Sequence, residues 1–166
     1  MTIYLVVPLL IVAVLLQSTV VTHIVVWGIF PDLPLLIVVS WALLRGARQG
    51  VVWGFIAGVA LDVFSGAPFG AGTLSLIAAG FLAGMAEPAV FRSHLALPLA
   101  AAFVTTLVYD LLFIGVVHLS GGKVVWGDTI LHLILPAAVL NAIVIPVVFV
   151  VIRWISKRFS GGRIEY

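Results

Sequence analysis

Charge in this chain is confined to short gaps in a nearly continuous apolar sequence. Seven of the eight Lys and Arg residues fall in alternate gaps, as Arg45/Arg48, Arg92 and Arg153/Lys157/Arg158/Arg163, and the eighth, Lys123, stands alone in another. With 64% hydrophobic and 8% charged residues, the chain lacks the polar surface to cover a water-soluble core. The pattern predicts a multi-pass membrane protein. Loops rich in Lys and Arg resist translocation, so the three clusters and both termini are expected in the cytoplasm. The same loops explain the net charge of +2, which reflects topology and attraction to anionic lipid rather than nucleic-acid binding.

A bilayer core about 30 Å thick takes roughly 20 helical residues, so 166 residues hold about six crossings and no separate soluble domain. The expected fold is an all-α integral membrane bundle of six transmembrane helices, at residues 3–23, 33–44, 51–65, 72–87, 96–119 and 130–154. Breakers separate them, at Phe30 to Pro34, Arg45 to Gly50, Ser65 to Gly70, Glu87-Pro88 and Ser120 to Gly122. The second and third crossings are short, which implies bilayer thinning or shelter by longer neighbours. A re-entrant hairpin there would leave Arg45 and Arg48 near mid-bilayer, at about 2.5–3.5 kcal/mol each, so the crossing is preferred. Trp41, Trp53 and Trp154 are expected at inner interfaces, with Trp27 and Trp126 at outer ones. The first apolar run lacks a positive leader and a small-x-small site, so it reads as a crossing rather than a signal peptide. Residues 160–166 form a short cytoplasmic tail.

Gly50, Gly54, Gly58 and Asp62 recur every fourth residue along one helix stripe, and Gly80 and Gly84 repeat the spacing one helix later. Small residues let two backbones approach closely in lipid. The stripe serves internal packing or docks a partner's membrane helix. Asp110 is the costliest residue, an acid well inside the fifth helix with no Lys or Arg at its depth. Its candidate partners are Thr106, Asn141 and water, in a bracing role or in a cavity. Asp62 precedes the turn containing Ser65, Gly66, Pro68 and Gly70, where the next helix's first amides, near Gly72 and Thr73, suit a carboxylate. Asp32, followed by Pro34, has the form of an N-cap.

No reaction centre assembles from these residues. Cysteine is absent, which excludes disulfides and thiolate chemistry. His23, His94, His118 and His132 lack metal-ligand spacing, although three of them lie toward the outer face. Ser65-Gly66 does not fit the nucleophile turn of an intramembrane serine protease. The acids are scattered singly, without the paired carboxylates that hold Mg²⁺ in a lipid phosphotransferase. No enzyme activity, metal or cofactor is expected.

Pro31-Asp32-Leu33 opening a short helix, then Arg45 to Gly50, then Gly54-x3-Gly58-x3-Asp62 running into Ser65-Gly66-x-Pro68-x-Gly70, resembles the MreD family of rod shape-determining membrane proteins. Gln17-Ser18-Thr19 is similar to that family's opening segment. The resemblance implies a bundle related to the substrate-binding (S) components of energy-coupling-factor (ECF) transporters. It also implies a non-enzymatic scaffold in the bacterial elongation machinery, or elongasome, at the cytoplasmic membrane. MreC would be its binding partner, with RodA, a class B penicillin-binding protein and MreB in the same assembly. The alternative reading is a small-molecule or lipid-binding membrane protein, with a pocket near Asp62, Asp110 and the Ser65 to Gly70 turn.

Overall fold

The computed structural model describes Pro8, 11–13, Gln17, 30–86 and 96–159, with backbone alone at Lys157 and Phe159, and all its regular structure is helical. Helix α1 spans Leu33–Arg45. Asp32 caps it, its carboxylate accepting from the Leu35 N–H at 3.2 Å, and Pro34 lies in the first turn, where no N–H is required. The helix ends at Gly46, whose φ of 86° turns the chain straight into α2, Ala47–Ser65. The polar loop expected from Arg45 to Gly50 thus shrinks to Gly46, and α2 starts four residues earlier than its apolar pattern suggests. Helix α3 spans Ala71–Met85 and α4 spans Ala96–Leu119. A short α5, Trp126–Thr129, passes through a π-helical stretch, Ile130–Ile134, into α6, Leu135–Phe159. Pro136 has no N–H for the His132 carbonyl, and the wide turn, with the Leu135 N–H on the Ile130 carbonyl, absorbs that loss.

Among the described residues three helices are long and apolar enough to cross a membrane, namely α2, α4 and the stretch Trp126–Ser156, while α1 and α3 are shorter apolar helices. Helix α1 is the centre of the bundle. Its residues from Pro34 to Leu43 are all buried, and α2, α3, α4 and α6 pack around it. A helix apolar on every side is stable only when enclosed in this way. Its 13 residues reach about 20 Å, too few to cross a bilayer core alone. Longer neighbours shelter it. Trp41 and Trp53, expected at the inner interface, instead pack edge-to-face in the core at 6.4 Å and are each 2% exposed. Trp154 is exposed, with the Arg158 guanidinium over its ring.

Two cross-bundle bonds set the relative depth of the helices. The Asp32 N–H donates to Asn141 Oδ1 at 3.0 Å, and Arg45 Nη2 donates to Ser156 Oγ at 3.0 Å. Helix α1 therefore runs parallel to α6, from its second turn to its last. Arg45, Arg48, Arg153 and Arg158 gather at one end of the bundle, and Lys123 lies in the α4–α5 turn at the other. Arg92, Arg163 and the side chain of Lys157 lie outside the described residues, as do Trp27, His23, His94, Ser18 and Thr19.

Candidate functional site

Glycine makes the tightest contact in the bundle. A Cβ at Gly50 would fall on the Gly80 carbonyl oxygen, one at Gly54 on that of Leu76, one at Gly58 on the backbone of Thr73, and one at Gly84 on Ala47. Helices α2 and α3 are thus antiparallel and in backbone contact along the whole stripe. This chain's own α3 fills the face that the spacing offered for docking.

At the far end of the stripe, Asp62 is 5% exposed, and its carboxylate organises the turn. Oδ1 accepts from the Gly72 N–H at 2.7 Å, and Oδ2 from the N–H groups of Gly70 and Thr73 and from the Thr73 hydroxyl. Gly70, at the N-cap of α3, has no side chain to bind the first amides, so a carboxylate eight residues earlier takes that part. Its charge faces the positive end of the helix dipole. The rest of the turn is local. Ser65 Oγ accepts from the Ala67 N–H, the Pro68 carbonyl from the Ala71 N–H, and both Gly66 and Gly70 have positive φ.

A second polar group forms where α1 begins. Asn141, 1% exposed, accepts from the Asp32 N–H and donates to Thr106 Oγ1 at 3.2 Å, and Thr106 donates to the Ala102 carbonyl. Gln17 Oε1 accepts from the Leu33 N–H at 3.1 Å. Tyr109 and Asp110 lie one turn beyond Thr106 on α4, Tyr109 buried and stacked on Phe113 at 6.0 Å. Counted at 1.5 Å per residue, Asp32, Asp62, Asp110 and Asn141 all sit about 18–23 Å from the basic end. They form one polar layer deep in an apolar bundle.

The layer corrects one expectation. Asn141 and Thr106 bind each other and the start of α1, so neither reaches Asp110, whose buried Oδ2 has no hydrogen-bond partner. A carboxyl in apolar surroundings, without a bonded cation, is unfavourable when ionised. Tyr109 was the member hardest to see in the sequence. Its only signal is a phenol adjoining an acid in mid-helix. The remaining histidines sit at the outer rim, His118 edge-on to Trp126 and His132 3.0 Å from Asp128. Among the described residues no three His, Cys, Asp or Glu side chains are placed to hold a metal ion.

The arrangement predicts opposite results at two neighbouring positions. Asn141→Leu orphans the Asp32 N–H and should lower stability by about 1–3 kcal/mol. Asp110→Leu breaks no hydrogen bond seen among the described residues and removes a buried carboxyl oxygen that has none, so its unfolding midpoint in detergent should match or exceed wild type. A lower midpoint for Asp110→Leu would show a partner for Oδ2 that this geometry lacks.

Fold and polar layer together define an all-helical membrane protein whose buried polar groups fix helix ends and depths. The family model described as rod shape-determining protein MreD matches residues 1–158, nearly the whole chain, and the chain belongs to that family. It is therefore a rod shape-determining membrane protein. No curated protein and no solved structure is significantly similar to it.

Proposed function

We propose that the chain is a non-enzymatic scaffold of the elongasome that binds MreC and supports lateral peptidoglycan synthesis, with RodA, a class B penicillin-binding protein and MreB in the same assembly. Membership of the MreD family over residues 1–158 carries this reading. The polar chemistry agrees with it, because Asp62 and Asn141 spend their hydrogen bonds on helix ends. The protein would sit in the bacterial cytoplasmic membrane as six crossings related to the ECF S components, both termini inside. Supporting that orientation, Arg45, Arg48, Arg153 and Arg158 share one end of the bundle.

Reporter fusions test the orientation. A fusion after Tyr166 should report cytoplasm, and one in the Ser65 to Gly70 turn periplasm; the reverse at either site overturns the six-crossing arrangement. Co-purification with MreC in mild detergent tests the scaffold. Recovery of the folded protein without MreC, under conditions where MreC is present in the membrane, would count against it.

A second reading is a small-molecule or lipid binder with an S-component-like pocket. Asp110 favours it, since an unpartnered buried carboxyl oxygen is an available acceptor. A ligand held there would be lost on Asp110→Leu, while a pure MreC scaffold would retain its partner.

A further inference from the structure

The α2–α3 hairpin presents a shorter apolar wall than α6 does. Between the exposed Gln49 and Ser65, every exposed or half-buried residue of α2 is apolar, over residues 50–64 or about 22 Å. Helix α3, in backbone contact with α2, is 15 residues long and rises no further. On α6 the corresponding run lies between His132 and Arg153, over residues 133–152 or about 30 Å, the thickness of an ordinary bilayer core.

The two walls start level at the basic end. Gln49 is three residues from the Gly46 corner and Arg153 three from Ser156, and the Arg45–Ser156 bond ties those points together. The whole difference therefore falls at the other end. Counted from that bond, or from the Asp32–Asn141 bond deeper in the bundle, Ser65 stops about 6–8 Å short of His132.

The ends make opposite demands on the lipid. Ser65 and Gly66 are exposed, and the last carbonyls of α2 have no intrahelical donor, so hydrocarbon around the turn would strand them. Leu133 and Leu135, exposed on the other wall at or beyond the depth of Ser65, belong in hydrocarbon. A flat bilayer satisfies only one of these demands.

We infer that the α2–α3 hairpin holds the bilayer thin on its side of the bundle, drawing in the leaflet opposite the basic end by about 6–8 Å. Its partner is phospholipid whose acyl chains are short or disordered enough to end at the turn, beside the exposed Val63, Phe64 and Phe69. The inference goes beyond the scaffold reading. It rests on these helices crossing the membrane and not on MreC binding.

The chain has no cysteine, so one introduced cysteine carries a nitroxide label alone. The full chain is reconstituted in dioleoylphosphatidylcholine vesicles, and each label is read by its accessibility to a water-soluble nickel chelate against oxygen. Ser65→Cys should read aqueous and Leu135→Cys hydrocarbon, their ratios differing by roughly tenfold, although Leu135 lies no closer to the basic end. Gln49→Cys and Arg153→Cys should both read aqueous. If either reads hydrocarbon, the bundle is tilted and the inference is overturned. Phe55→Cys, 52% exposed within the α2 wall, should read hydrocarbon; an aqueous reading means the hairpin does not cross, and also overturns it. Hydrocarbon readings at both Ser65 and Leu135 would mean that the leaflet is not drawn in. Aqueous readings at both would mean that the far end of α6 projects from a bilayer of even thickness, which equally overturns the inference. Should Ser65→Cys fail to fold, Phe69→Cys, 72% exposed in the same turn, takes its place with the same outcomes.

Discussion

Gly54→Leu and Gly58→Leu are expected to unfold the protein at a much lower temperature than wild type, because each places a branched side chain where α3 already has backbone. Overpacking of a core costs about 1–3 kcal/mol when neighbouring side chains can shift. Here the obstacles are the Leu76 carbonyl and the Thr73 Cα, which move only if the helices separate. The cost should reach or pass the upper end of that range. Gly115→Leu is the matched control, since a Cβ there meets nothing within 4 Å. The measurements are the thermal midpoint in detergent and MreC recovery at a temperature where wild type is folded. The stripe is internal, so stability should fall whether or not MreC is present. Full stability with loss of MreC would instead make it a docking face.

The stripe was legible because its period needs no knowledge of the partner helix. A residue repeated every fourth position marks one face wherever that face points. Which surface it met was not legible, and the answer lies in Gly80 and Gly84, which repeat the spacing on the antiparallel helix. The cap at Asp32 was also legible, since capping is a contact between residues three apart. The start of α2 was not. Arg45, Arg48 and Gln49 look like a polar loop, yet they sit on helix ends while one positive-φ glycine makes the corner. Nor does composition separate a belt tryptophan from a core one, so Trp41 and Trp53 read as interfacial from their depth, while the rotation of their helices turns both into the core.

Long-range polar pairing was the least legible feature. The sequence offers Thr106, Asn141 and water as partners for Asp110, but it leaves the rotation of each helix free. Asn141 turns toward the start of α1, 109 residues away in sequence, and holds Thr106 there, so neither of these two candidates bonds Asp110. The bond to Asp32 has a structural consequence. The N–H groups of Asp32 and Leu33, at the opening of α1, are bonded by Asn141 and Gln17, so the central helix starts deep in the bundle without orphaned donors.

Asp62→Ala is expected to be the most damaging single polar substitution among the described residues. It removes both carboxylate oxygens and strands the amides of Gly70, Gly72 and Thr73 together with the Thr73 hydroxyl. A buried donor left without a partner costs about 1–3 kcal/mol, and more where the lost acceptor was charged. Rearrangement of the exposed turn lets some of these donors find solvent, because Ser65, Gly66 and Phe69 are already outside. The Gly72 amide lies deepest, its bond to Oδ1 buried, and fixes the lower bound of the loss. Asp62→Asn keeps one acceptor oxygen but sets an NH₂ against amides that also donate, so it should recover only part of the stability. Thr73→Val removes the hydroxyl bond alone and should cost the least of the three. The order Ala below Asn below Val in unfolding midpoint, with slowed hydrogen exchange at Gly72 and Thr73 lost first in Asp62→Ala, is the expected result. Equal midpoints for Asp62→Ala and wild type would mean that the α2–α3 contact holds the turn by itself, with Asp62 free for a role at the surface.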